Sequence, residues 1–298
     1  MGLKTDPLGY FLRQFSVFIG DLMKKRQFNS SLFLFLFCFA PVVYSADYIN
    51  TIGMAFNTIK AGSFYMGGCR AKYPCPSKEG IDYKANINET PQRKVTLSDD
   101  FQLGVYEVTL GQYKRYVSST GGEGSVAVNF IKLNANGNSS PVVGVSWQDA
   151  QDFISWLNKK ESTDRYRLPT EAQWEYAAKA GSGSYHASRN FTTNSNAYAW
   201  YAKNSNNKLH EVGLKKPNHW GLYDMQGNVW EWTADWYSKT SYQRSPSLNP
   251  KGVKIGINRV IRGGSWFNGA DKIRSSARHK AKPTDHNNLI GFRVVRML

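Results

Sequence analysis

The chain has 298 residues, 41% apolar and 14% aromatic with 9 Trp and 17 Tyr, which is enough to bury a sizeable core and excludes an intrinsically disordered polymer. Lys and Arg number 38 against 22 Asp and Glu, a formal charge of +16 that favours an acidic partner without specifying one, and only 3 Cys exclude a disulfide-dense scaffold. No apolar run reaches the roughly 18 residues that a membrane-spanning helix needs.

The N-terminal stretch reads as an export signal. Met23-Lys24-Lys25-Arg26 is a basic start, and Leu32 to Ala40 is an uninterrupted apolar run too short to cross a bilayer. Val43 and Ser45 then stand where a signal peptidase reads, with cleavage expected before Ala46. On this reading residues 1–22 precede the true start at Met23, residues 23–45 are the signal, and residues 46–298 form a periplasmic or secreted domain. Cys38 leaves with the signal, so Cys69 and Cys75 are expected to pair in an oxidising compartment. Closing so short a loop contributes about 2 kcal/mol, and the pair lacks the spacing and His partners of a redox or zinc site.

Three helices announce their starts. Thr109-Leu110-Gly111-Gln112 is a capping box with Leu110, Tyr113, Tyr116 and Val117 on one face. Ser146 to Lys159 places Trp147, Ala150, Phe153, Ile154 and Leu157 at helical spacing. Thr170-Glu171-Ala172-Gln173 opens a third helix, stopped at Gly181. Short strands are predicted at Phe64-Tyr65-Met66, Lys94 to Leu97 and Phe292 to Val295, and the Asn/Ser-rich stretch from Phe191 to Leu209 reads as a surface loop. No repeat and no charged or Pro-rich linker interrupts residues 46–298, which predicts one α+β domain with much irregular structure. Residues 251–298 hold eleven Lys or Arg against Asp271 and Asp285, a net +9 that reads either as a solvated basic face or as a docking surface for something acidic.

Several segments occur in one order: Gly62 to Gly67 (GSFYMG), Glu89-Thr90-Pro91, Tyr106 to Thr109 (YEVT), Pro141 to Trp147 (PVVGVSW) and Tyr166 to Ala177 (YRLPTEAQWEYA). Pro217 to Met225 (PNHWGLYDM), Gly227 to Trp232 (GNVWEW), Arg262 to Trp266 (RGGSW) and Ile290 to Arg293 (IGFR) follow. Together, from about Asn57 to Arg296, they resemble the formylglycine-generating enzyme (sulfatase-modifying factor) family, whose superfamily includes ergothioneine sulfoxide synthases and pyoverdine-maturation proteins. The resemblance implies an α+β domain of C-type-lectin-related fold with little regular secondary structure. It also implies a structural calcium held by Asn228, the Val229 carbonyl and Glu231, which suits an ion that takes several oxygen ligands. A second calcium site of some members is not expected, because Gly213 stands where an Asp ligand would be.

The departures from the family bear on chemistry. Formylglycine generators hold copper with two cysteines after the Gly-Gly-Ser element, and those positions are Asn268 and Ile273 here. Neither replaces a soft thiolate for Cu(I), so copper and formylglycine generation are not expected. The histidines His186, His210, His219, His279 and His286 are scattered, and only His279, Asp285 and His286 are placed to approach a common iron. Two functions follow. One is a calcium-stabilised binding, scaffold or maturation-partner module, with Trp266, Phe267, Asn268, Arg274, Arg278, His279 and Lys282 lining the ligand face for an exported protein, peptide or acidic ligand. The alternative is a cysteine-independent periplasmic oxidoreductase resembling the pyoverdine-maturation oxidases, with Ser265, Glu231, Asp271 and His279 as candidate catalytic groups. Nucleic acid is not an expected partner, since export separates the chain from it.

Overall fold

A computed structural model describes residues 45–73, 75, 76, 82, 84–121, 133, 134, 136–181 and 191–298, with the side chains of 191–194 left aside. Residues 1–44, which hold nearly all of the stretch expected to be an export signal, and His186 lie outside the described residues. No helix among the described residues is long and apolar enough to cross a membrane.

Among the described residues, eleven short strands and five α-helices, with one 3-10 turn at Ile87–Glu89, alternate with long irregular segments. The strands are β1 (Tyr48–Ile49), β2 (Ala55–Ile59), β3 (Gly62–Met66), β4 (Arg93–Leu97), β5 (Phe101–Gly104), β6 (Tyr166–Arg167), β7 (Trp230–Trp236), β8 (Arg259–Arg262), β9 (Arg278–Ala281), β10 (Ile290–Gly291) and β11 (Val295–Met297). The helices are α1 (Leu110–Ser119), α2 (Trp147–Lys160), α3 (Glu171–Lys179), α4 (Phe191–Tyr198) and α5 (Ser241–Arg244). One sheet has the order β1-β2-β5-β11-β6, a second β10-β7-β8-β9, and β3 pairs with β4 as a separate hairpin. The first sheet therefore joins the two ends of the domain: Val295 and Met297 of β11 face Leu103 and Phe101 of β5, while Val295 also pairs with Arg167.

Local chemistry sets the helix starts. The hydroxyls of Thr109, Ser146 and Thr170 accept from the backbone N–H groups of Gln112, Asp149 and Gln173, and each of those side chains returns the bond to the cap, as the three capping boxes predict. Helix α3 stops at Ala180, which takes a left-handed φ of 45°. The faces expected for α1 and α2 meet in an aromatic stack: Tyr113 lies 5.6 Å from Phe153, and Phe153 lies 5.5 Å from Phe292. The C-terminal strand begins three residues later than expected, at Val295 rather than Phe292. Residues 191–209 are not the surface loop read from their composition. They include α4, and Ala199, Tyr201, Ser205 and Leu209 are buried. Cys69 and Cys75 form the expected disulfide with Cα atoms 5.2 Å apart.

Much of the basic C-terminal segment turns inward. Arg262, Arg274, Arg278 and Arg293 are all buried, each against a buried acid. Arg293 grips Glu231 at 2.7 Å through both Nε and Nη2, and its other nitrogen bonds reach the carbonyls of Gly104 and Tyr223. Arg278 forks onto Glu171 at 2.7 Å, Arg274 reaches Glu89 and Asp82 at 2.6 Å, and Arg262 pairs with Glu175. The net +9 is thus neither wholly a solvated face nor wholly a docking surface. Lys251, Lys254, Lys280 and Lys282 remain exposed.

Removing one partner of such a pair strands the other charge in the interior. Arg293→Leu is expected to lower unfolding free energy by about 3–5 kcal/mol in denaturant titrations, whereas Lys60→Ala, which breaks an exposed, solvent-screened pair with Asp100, leaves the midpoint nearly unchanged. Equal effects of the two substitutions would contradict this reading.

Candidate functional site

The segment Arg262 to Arg274 turns sharply, and its two glycines explain how. Gly263 and Gly264 have φ of 98° and 78°, and a Cβ on Gly264 would stand 2.6 Å from Ile273 Cγ2. The chain after Ser265 therefore folds back so that Ile273 lies directly over the glycine. Ser265 is buried, and its N–H and Oγ–H both donate to Asn268 Oδ1, at 3.0 and 2.8 Å. Asn268 N–H donates to the Ser265 carbonyl, which closes the turn. Trp266 packs with Val143, Leu209 and Val229 and donates from Nε1 to the Asn288 carbonyl. Phe267, edge-on to Trp266 at 5.7 Å, is left 61% exposed.

The two positions where copper thiolates were sought are thus occupied by other chemistry. Ile273 is wholly buried with Ala199 and Tyr201, and the Asn268 amide oxygen is spent on Ser265. The remaining sequence candidates do not converge. Glu231 is held by Arg293 and accepts from Trp174 Nε1, Asp271 sits beside Lys272, and His279 bonds only its own strand neighbour, Lys280. No hydrogen bond joins any two of Ser265, Glu231, Asp271 and His279 among the described residues. Of the expected ligand face, Phe267, His279 and Lys282 are exposed and Asn268 is half-buried, whereas Trp266 is buried in its apolar cluster. Arg274 and Arg278 do not, because each is committed to a buried carboxylate.

The histidines are separated as well. His286 Nε2 meets Asp149 at 2.9 Å, Asp285 accepts from the Lys282 N–H, and His210 stacks on Trp200 at 3.7 Å with burial pulling its pKa down. No group of three His, Cys, Asp or Glu side chains among the described residues forms a ready metal cage.

The Gly-Asn-Val-Trp-Glu turn organises a different cluster. Gly227 is obligatory, since a Cβ there would lie 2.1 Å from the Trp200 carbonyl oxygen. Asn228, at φ 54°, accepts at Oδ1 from His210 N–H and donates from Nδ2 to Glu107 at 3.0 Å. The amide that the resemblance assigns to calcium thus also shapes the turn. Glu107 and Asp224 are the carboxylates that sequence reasoning passed over. Burial, then the charges of Asp224 and Glu231, hold Glu107 well above the usual carboxylate range. Burial pushes Asp224 up to about 6. Asp224 Oδ2 accepts from Gly213 N–H at 2.7 Å, while its buried Oδ1 has no partner. Three buried carboxylates thus share one guanidinium, Arg293. That surplus of negative charge, and an Asp224 oxygen without a partner among the described residues, suit a cation beside the Gly-Asn-Val-Trp-Glu turn. Gly213 has φ of 77°, and a Cβ there would meet Tyr106 at 2.6 Å, so no Asp ligand fits at that position.

These features coincide with the outcome of comparison. The model for the sulfatase-modifying factor enzyme 1-like domain matches residues 51–298. The chain belongs to that family. The resemblance read from its motifs is borne out, and with it the C-type-lectin-related α+β fold. The formylglycine-generating enzyme of Streptomyces coelicolor is 36% identical over 168 residues, 51% of this chain and 51% of that enzyme. The chaperone protein LppX of Paenibacillus barcinonensis is 28% identical over 267 residues, 73% of this chain and 87% of that protein. The solved structure of PvdO from Pseudomonas aeruginosa aligns with a TM-score of 0.68 at 28% identity, over 84% of this chain and 96% of PvdO. The chain spans between about a third and about half the length of the first curated relatives it matches.

One further buried acid makes stability depend on pH. Asp235 accepts from the Glu171 N–H at the start of α3, and burial, then the Glu171 charge, pushes its pKa up to about 7. Its native pKa exceeds the unfolded value of 3.8, so the native state binds the extra proton and this group's contribution to stability falls as pH rises from about 4 to about 7. Melting curves of Asp235→Asn against the parent should show the variant relatively more stable at pH 8 than at pH 5. An offset independent of pH would refute the assignment.

Proposed function

We propose that this chain is an exported binding module that keeps the family scaffold without its copper chemistry and acts as a maturation partner for a client protein or peptide. The carrying observation is the pair of replacements at the copper positions, where Ile273 fills the space with hydrocarbon and Asn268 caps a turn. Cu(I) oxidation chemistry requires soft ligands, and these side chains supply none. The open part of the same segment presents Phe267 beside Trp266 and Asn268, an aromatic anchor with an amide next to it, which suits recognition. The similarity to a protein named a chaperone, across most of that protein's length, supports the maturation-partner reading. Export rests on the basic start at Met23 and the apolar run to Ala40.

The full-length protein, purified without chelators, should retain no copper after exposure to Cu(I) and should leave the cysteine of a sulfatase-derived peptide unconverted by mass spectrometry. Stoichiometric copper or conversion of the cysteine would overturn the proposal. Likeness to PvdO over almost all of its length favours a second reading, an oxidoreductase without thiolate ligands. Oxygen uptake in the presence of a client, abolished by substitution of Asp271 or His279, would select it.

Calcium is part of the proposal as a structural ion balancing Asp224 and Glu231. Metal analysis should find about one calcium per chain, and chelation should lower the melting temperature by several degrees, because a ligand at about 100 times its Kd stabilises by about 2.7 kcal/mol. No calcium and an unchanged melting temperature would show that protons alone neutralise the cluster.

A further inference from the structure

We infer that a cavity at the start of α3, lined in part by Thr170 and Gln173, is a binding site for a small monocarboxylate with an apolar body. It has a volume of about 320 Å³ and is lined by Leu97, Asp99, Arg167, Thr170, Gln173, Asn249, Lys251 and Met297, none of which belongs to the segment discussed above. Arg167 carries the argument. It projects from the edge strand β6, and its guanidinium is paired only with neutral groups: Nη1 donates to the Leu168 carbonyl at 3.1 Å and to Gln173 Oε1 at 2.9 Å, and Nη2 contacts Met297 Sδ at 3.0 Å. The four buried arginines elsewhere in the domain each have a carboxylate in ion-pair contact. Arg167 has none among the described residues, and its desolvation pulls its pKa down with only distant Asp235 opposing. A largely buried guanidinium bonded to a thioether is an incomplete site, since its preferred partner is a carboxylate or phosphate held by two N–H bonds.

The remaining lining defines the ligand. Exposed Lys251 adds a second cation at the rim, and Asp99 an opposing carboxylate, so the cavity carries one net positive charge and suits a monoanion better than a dianion. Leu97 and Met297 provide the apolar wall. The Asn249 side chain is already fixed by Ser98, with Oδ1 accepting from its N–H at 3.0 Å, so that side of the mouth is rigid before a ligand arrives. A carboxylate of this kind is borne by an acylated amino acid and by the C-terminus of a polypeptide, and the cavity holds the terminal residue of either.

Calorimetry on the full-length protein with N-acetyl-L-leucine, its amide, and a pentapeptide ending in leucine with a free or amidated C-terminus tests the assignment. Saturable binding of the acids, with the amides at least tenfold weaker, is expected. Lys251→Ala, at an exposed position, should weaken acid binding about fivefold at low salt without changing the melting temperature, and Arg167→Gln should abolish it. Binding of the peptide acid alone assigns a chain terminus, and binding of both acids, or of N-acetyl-L-leucine alone, assigns a small free carboxylate. Equal affinity for acids and amides, no binding of either, or affinity untouched by Lys251→Ala would overturn the inference.

Discussion

Buried arginine–carboxylate pairs hold this domain in shape. The eleven strands among the described residues, of two to seven residues each, supply few ladder bonds, so regular secondary structure alone does not fix the path of the chain. Arg262, Arg274, Arg278 and Arg293 instead bond carbonyls and carboxylates from distant segments at once: Arg293 joins Gly104, Tyr223 and Glu231, and Arg278 joins Asn88, Ser238 and Glu171. A planar, permanently charged group with five donors suits this use, since it satisfies irregular backbone that no neighbouring strand can reach. Such pairs contribute little net stability compared with an apolar core, but breaking one is costly, so they fix which irregular conformation is adopted.

The same constraint shapes the chemistry of the domain. Arg293 bonds both carboxylate oxygens of Glu231, a partner that lies 62 positions further along the chain. Once the guanidinium is in place, Glu231 is a structural anion, and Asp224 and Glu107 become the groups with unmet charge. At the Gly-Gly-Ser turn, likewise, the side chains of Asn268 and Ile273 serve capping and packing. Scaffold and chemistry are separable here because the glycines and arginines set the path, and the positions between them are free to change.

Features set by local rules could be read from the sequence. Three capping boxes placed three helix starts to the residue, and an ordered series of motifs gave the family. Features set by remote partners could not be read. Arg274 looked like a surface cation because Glu89 and Asp82 lie about two hundred positions away, and Asp224 passed unnoticed because its isolation shows only when Gly213 and Glu107 are brought beside it. Residues 191–209 were assigned to solvent on composition, yet Ala199 and Tyr201 supply the apolar packing against Ile273. The acid inside an otherwise glycine- and aromatic-rich turn, Leu222-Tyr223-Asp224-Met225, was the one available signal.

The order of charges along the chain has a consequence for biogenesis. Glu89, Glu171, Glu175 and Glu231 all precede the arginines that neutralise them, which lie between positions 262 and 293, and β11 at the extreme C-terminus completes the first sheet. A nascent chain that has reached only position 258 therefore has no way to neutralise these carboxylates, and their burial waits for the segment that carries the arginines. Chain order thus sets assembly order: the acids come first and stay solvated, and the interior closes around them only once the arginines that follow have arrived.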